Sequence, residues 1–155
     1  MPSVGPANES LGESPVILIA EDNPDDALFL RRAFGMAGLG VQLIFVSDGE
    51  QAMRYLSAAP PFDDPVQCPR PSLVLLDVRM PLLGGFEVLE WLRAHPEVPQ
   101  PPVLLYSSVF SLADIDKAKT LAAASCLSKP PELEGWQQFA RQVLMFKPPP
   151  PPPPG

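Results

Sequence analysis

Three stretches of the chain are apolar at every position for the length of a strand: Val16-Ile17-Leu18-Ile19-Ala20, Leu73-Val74-Leu75-Leu76 and Val103-Leu104-Leu105-Tyr106. A strand with one face in water alternates apolar and polar residues, so an unbroken run demands cover on both faces. Helices supply that cover, and helices set between strands impose a parallel sheet joined by crossovers. The chain carries such helices. Asn23 caps the first, with Pro24 at its first position and Asp25 and Asp26 in its first turn. Ala27, Leu30, Phe34 and Ala37 share one helical face before Gly38 stops it. The spacing then predicts a strand over Val41–Val46, a turn at Asp48-Gly49 and a short helix over Glu50–Leu56. Beyond the third strand it predicts a helix over Gly84–Ala94 with Phe86, Leu89 and Leu92 inward, and another over Ser111–Ala124. A short fifth strand at Cys126-Leu127 and a final helix over Leu133–Phe146 complete the series. The expected class is α/β, a parallel sheet of five short strands covered by helices on both faces.

Proline divides the rest. The 155 residues include 23 prolines, and seven of them form the run Pro148 to Pro154. A segment without N–H donors can join neither helix nor sheet, so residues 148–155 read as a polyproline tail. Residues 1–14 offer little to bury and read as a disordered N-terminal tail. Residues 15–147 are the expected domain, and residues 58–71, with five prolines, form a surface loop within it.

Composition excludes several functions. A formal charge of −7 argues against tracking a nucleic-acid backbone. No apolar stretch approaches the ~20 residues of a membrane span. Met1 to Pro6 has neither a basic nor an apolar segment of an export signal. Cys68 and Cys126 make no disulfide framework. A cytoplasmic protein without membrane contact is therefore expected. His95 stands alone before Pro96 and reads as a surface residue, and Cys68 has no metal-ligand cluster around it. The polyproline run could serve an SH3-like groove, but a solvated tail is the plainer reading.

In open parallel sheets, chemistry collects at the carboxyl ends of the strands. Here the first strand ends in Glu21-Asp22, the third in Asp77 and the fourth in Ser107-Ser108, while the fifth runs into Lys129-Pro130. Taken singly, each is an ordinary loop acid, turn hydroxyl or surface lysine. Together they place three carboxylates, a hydroxyl and an ammonium at one sheet edge. Converging carboxylates repel unless a cation is shared, and an all-oxygen set suits Mg²⁺. A nucleophile, a metal and a cationic clamp are the parts of a phosphoryl-transfer site.

At these residues the chain resembles a known family. Ile17 to Asn23, Asp77-Val78-Arg79-Met80-Pro81, Gly85-Phe86-Glu87, Ser107 and Lys129-Pro130 are similar to the receiver domain of bacterial two-component response regulators. The resemblance covers residues 15–146 and implies a doubly wound (βα)5 sandwich of three layers with the flavodoxin-like strand order 2-1-3-4-5. It implies that a sensor histidine kinase, or a histidine phosphotransfer protein, passes a phosphoryl group to Asp77. It implies Mg²⁺ held by Glu21, Asp22, Asp77 and the backbone carbonyl of Arg79, with Ser107 and Lys129 on the phosphoryl oxygens. Arg79 and Val109 stand where the family tunes dephosphorylation. The Asn-Pro-Asp-Asp-Ala helix start, the loop over 58–71 and the Tyr-Ser-Ser strand end resemble more narrowly the regulators paired with phytochrome-like kinases. Such a protein acts as a monomer or homodimer on a downstream protein that the sequence does not name.

The departures from the family are specific. The switch position three before Lys129 is usually aromatic and here is Cys126. Ala122-Ala123-Ala124 replaces the glycine usual before the fifth strand. Without the ring, signalling is expected through the backbone, with an output surface over the helix at 111–124, Cys126-Leu127 and the last helix around Trp136 and Phe139, the 111–146 face. The leading expectation is a phosphorylatable switch that is not a dedicated enzyme. A non-phosphorylated interaction module is the alternative. An aspartate-nucleophile phosphatase needs an acid two residues after the nucleophile, where Arg79 stands and cannot give up a proton at neutral pH. Dinucleotide binding fails because Ala20 to Asn23 stands where a glycine-rich loop belongs.

Overall fold

A computed structural model describes residues 15–37 and 40–146. The expected tails at 1–14 and 148–155, Lys147 and the Gly38 helix stop lie outside the described residues. The strands are β1 Val16–Ala20, β2 Gln42–Val46, β3 Leu73–Asp77, β4 Val103–Ser107 and β5 Ser125–Ser128. They form one parallel sheet in the order β2-β1-β3-β4-β5. The three unbroken apolar runs are its three central strands, and each is buried at every position. The two edge strands are the less apolar ones and are only partly buried. Position in the sheet thus follows the number of faces a strand must hide.

Among the described residues, five helices cover the two faces: α1 Pro24–Ala37, α2 Gly49–Leu56, α3 Gly85–Ala94, α4 Leu112–Thr120 and α5 Gly135–Leu144. Alternate strand residues feed separate cores. Ile17, Ile19, Leu75, Leu104 and Tyr106 meet Leu30, Ala33 and Phe34 of α1 and Trp136, Phe139 and Val143 of α5. Leu18, Ala20, Val74, Leu76 and Leu105 meet α2 through Tyr55, α3 through Phe86, Val88, Leu89 and Leu92, and α4 through Ala118. Burying each large aliphatic side chain contributes about 1.5–3 kcal/mol, so these two layers carry the fold.

Several boundaries differ from expectation for local reasons. Asp48 is a cap, not a turn residue: its Oδ1 accepts the Gln51 N–H at 2.8 Å, and Gly49 opens α2. The helix expected over Ser111–Ala124 ends at Thr120, because Ala122 takes the left-handed conformation with φ of 60°. The Ala122 and Ala123 N–H groups then bond the carbonyls of Lys119 and Ala118 at 3.0 and 2.9 Å, which closes the helix end. The last helix starts two residues later than expected, after Pro130-Pro131, and ends at Leu144. The 58–71 loop is surface, as expected, yet it is tied down. Tyr55 donates to Pro69 O at 2.8 Å, and the Arg70 guanidinium reaches the α2 carbonyls of Tyr55 and Leu56 at 2.8 and 3.2 Å.

Candidate functional site

The chain grows to one side of β1 and then, from β3, to the other, so the ends of β1 and β3 flank the switch point of the sheet. Glu21 stays on the sheet through its N–H to Val46 O at 3.0 Å, which directs its side chain inward. Asp22 is exposed beside it, and Asp77, the last residue of β3, is buried. Glu21, Asp22 and Asp77 each bring a carboxylate oxygen within 4.8 Å of the others. That donor set, all oxygen and tightly grouped, fits a hard divalent cation.

Lys129 closes the cluster. Its Nζ lies 2.9 Å from Asp77 Oδ2, 3.0 Å from Glu21 Oε1 and 2.8 Å from Asp26 Oδ2. The other Asp77 oxygen, Oδ1, accepts the Arg79 N–H at 3.0 Å. The Lys129 N–H donates to Ser107 O at 2.8 Å, which fixes the lysine to the end of β4. Burial opposes the charge on Lys129, but the hydrogen bonds to Asp26 and Asp77 outweigh it and hold the ammonium above its ordinary pKa. Burial acts the other way on Glu21: aided by the Asp77 charge and against the Tyr106 hydrogen bond, it pushes the carboxyl up to about 7.

Packing around Asp77 is close. A Cβ on Gly85 would lie 2.9 Å from Asp77 O, and one on Gly84 would collide with Val78 O. Glycine at both positions lets the start of α3 rest directly on the backbone after Asp77. Lys129 also forms one side of a cleft of about 210 Å³, flanked by Asp26, Phe29, Pro130, Leu133 and Trp136.

The structure therefore brings together Glu21, Asp22, Asp77 and Lys129. Ser107 is the last residue of β4 rather than a loop residue; it is fully buried, and its Oγ accepts the Val109 N–H at 3.4 Å. Val109 itself is exposed. The Arg79 side chain turns away to Asp114, Nη2 to Oδ2, at 3.5 Å. Cys126 is half-buried against the α2–α4 core, and burial pushes its thiol up. The expected output surface needs correction at its last part: Trp136 and Phe139 are 5% and 2% exposed, because α5 turns them onto the sheet.

Two members of the site were not singled out from the sequence. In the sequence Asp26 is legible only as a first-turn acid of α1. Asn23 caps that helix by accepting the Asp25 and Asp26 N–H groups at 2.8 and 3.2 Å, and this start aims Asp26 at Lys129. In the sequence Tyr106 is legible only as the end of an apolar run. Its hydroxyl donates to Glu21 Oε1 at 2.6 Å from a fully buried ring. The signal was present in the strand alternation, since a buried tyrosine needs a partner for its hydroxyl.

Residues 17–138 match the response regulator receiver domain family. The chain belongs to this family. Among curated relatives, the receiver is 28% identical over 119 residues to response regulator Rcp1 of Synechocystis, covering 77% of this chain and 79% of Rcp1. Among solved structures it is similar to RPA3017, a response regulator in red light signalling of R. palustris, with 34% identity and a TM-score of 0.78 over 85% and 92% of the two chains. It is equally similar in shape to the phosphorylated cyanobacterial phytochrome response regulator RcpA, with 26% identity and a TM-score of 0.78 over 86% and 94%. A Mn(2+)-bound form of Rcp1 aligns with a TM-score of 0.75 at 26% identity, over 85% and 93%. The receiver thus has the flavodoxin-like fold and strand order of the family and resembles its phytochrome-associated members. Among the described residues, no helix is long and apolar enough to cross a membrane.

Proposed function

We propose that this receiver is a phosphorylatable switch that takes a phosphoryl group onto Asp77 from a phosphohistidine of a sensor kinase or phosphotransfer protein, phytochrome-like kinases included. The observation that carries this reading is the setting of Asp77. It is a buried carboxylate with Lys129 Nζ on one oxygen and the Arg79 N–H on the other, grouped with two further acids. In the transfer, a carboxylate oxygen of Asp77 forms the new O–P bond while the donor's N–P bond breaks. The leaving imidazole keeps the electron pair.

Glu21, Asp22 and Asp77, with the carbonyl of Arg79, are the groups that would hold Mg²⁺, as the Mn(2+)-bound Rcp1 structure supports by analogy. Bound there, the ion would neutralise charge on the phosphoryl oxygens. The residues of the chain do the rest. Lys129 already carries a stabilised charge beside Asp77 and pairs with the incoming oxygens. Ser107, buried at the adjoining strand end, supplies a hydroxyl for the same oxygens. Asp26 and Glu21 keep the ammonium in place before the phosphoryl group arrives. In this reading the protein is a phosphoacceptor rather than a dedicated enzyme, and it signals by changing which protein it binds.

The test is intact mass after incubation with acetyl phosphate and Mg²⁺. One phosphoryl adduct is expected on the native chain and none on Asp77→Asn. An adduct that survives the substitution refutes Asp77 as acceptor. Calorimetry tests the metal: a Mg²⁺ titration unchanged by Asp22→Asn removes Asp22 from the site.

A further inference from the structure

Helix α4 has little apolar hold on the sheet, since Ala118 is its one buried residue. Polar tethers hold it instead. Arg93 of α3 donates to Leu121 O and Ala122 O at 2.8 and 3.0 Å, just past the helix end. Lys117 lies over the Phe86 ring at 5.0 Å and 3.7 Å from Glu90. At the helix start, Arg79 Nη2 stands 3.5 Å from Asp114 Oδ2. Of these three tethers, the last alone springs from the loop that leaves Asp77.

Asp114 is doubly used. Its Oδ2 accepts the Ser111 N–H at 2.9 Å while Ser111 Oγ accepts the Asp114 N–H at 3.0 Å, so the carboxylate that meets Arg79 also builds the first turn of α4. Arg79 is anchored at the other end by its own N–H, 3.0 Å from Asp77 Oδ1. One residue thus touches the phosphoacceptor with its backbone and the start of α4 with its side chain.

Resting on the reading of Asp77 as phosphoacceptor, we infer that Arg79 is a positioning residue whose guanidinium passes from Asp114 to the phosphoryl group on Asp77, loosening α4 as it goes. A phosphoryl group offers nearly two negative charges and three acceptor oxygens, against the single charge of Asp114. A guanidinium fork matches those oxygens better than a point cation does. The bond it gives up is weak: 3.5 Å is long for a charge-assisted pair, and Arg79 is largely exposed.

The test uses the full chain with Mg²⁺ and beryllofluoride as the phosphoryl mimic, followed by calorimetry and by amide exchange over α4. Asp114→Asn frees the guanidinium, so mimic affinity rises about two- to fivefold, the range of an exposed ion pair. Amides of α4 then exchange faster even before the mimic is added. Arg79→Ala weakens the mimic by a similar factor. In the Arg79→Ala background, Asp114→Asn no longer changes affinity. Should Asp114→Asn loosen α4 but leave mimic affinity unmoved in both backgrounds, the pair is a surface tether and the inference is overturned. An equal gain in both backgrounds overturns it too, since the effect would not pass through Arg79. A native chain that takes up no mimic overturns the phosphoacceptor reading itself, and this inference with it.

Discussion

Helices α3 and α4 lie side by side on the same face of the sheet, yet different forces hold them there. α3 buries Gly85, Phe86, Val88, Leu89 and Leu92, and its start rests on the Asp77 backbone. α4 buries Ala118 and hangs from arginine, lysine and acid contacts. Apolar burial is non-directional and is lost only when the layers part, whereas a polar tether can be traded for another of equal strength. The first helix belongs to the frame, and the second can respond to charge placed at Asp77.

The largest effect that could break this contrast is on stability. Leu89→Ala empties a fully buried site in α3 and is expected to cost about 2–5 kcal/mol in denaturant unfolding. Ile115→Ala, at the half-buried equivalent in α4, is expected to cost about 1 kcal/mol. Equal costs would mean that α4 is as firmly packed as α3. Native-state amide exchange is the next measure. Central amides of α3 should open with global unfolding, and those of α4 at least about 2 kcal/mol below it.

A smaller effect separates the tethers from the packing. Arg93→Ala removes hydrogen bonds to Leu121 O, Ala122 O and Gln100 Oε1, and should cost about 1–2 kcal/mol. Its exchange signature should fall on the end of α4 and on β5 and spare α3. The smallest effect has the opposite sign. Ala122→Gly relieves a left-handed alanine at the helix end and should raise the unfolding free energy by about 1 kcal/mol. A loss of stability there would show that the turn is not strained.

Much of the frame was legible because it depends on one-dimensional patterns. Val16 to Ala20, Leu73 to Leu76 and Val103 to Tyr106 announce two-sided burial, and they are the three central strands. The end of α4 was not legible. Ala122-Ala123-Ala124 favours helix locally, so the sequence pattern carries the expected helix through it. The chain leaves the helix early because Ala124 must donate to Val103 O at 2.7 Å and Ser125 must pair with Leu104. Pairing across the sheet overrides local propensity there. Trp136 and Phe139 drop out of the expected output surface for a related reason. Trp136 and Phe139 lie on an amphipathic helix, and which side of it meets the sheet is settled by packing against Phe34 and Tyr106.

The sequence by itself determined the elements, their alternation and the residues that end each strand, because apolar period, caps and prolines act on neighbours along the chain. It also placed Asp77, Glu21, Asp22 and Lys129 on the same edge, since parallel strands all end on one side. Tertiary structure decided how those residues share charge. Lys129 meets Asp26 and Asp77 across sequence separations of 103 and 52 residues, and Tyr106 meets Glu21 across 85. No local rule reaches that far. Such contacts exist because the two apolar layers bring the strand ends together, and buried charges then take the partners that remain within reach.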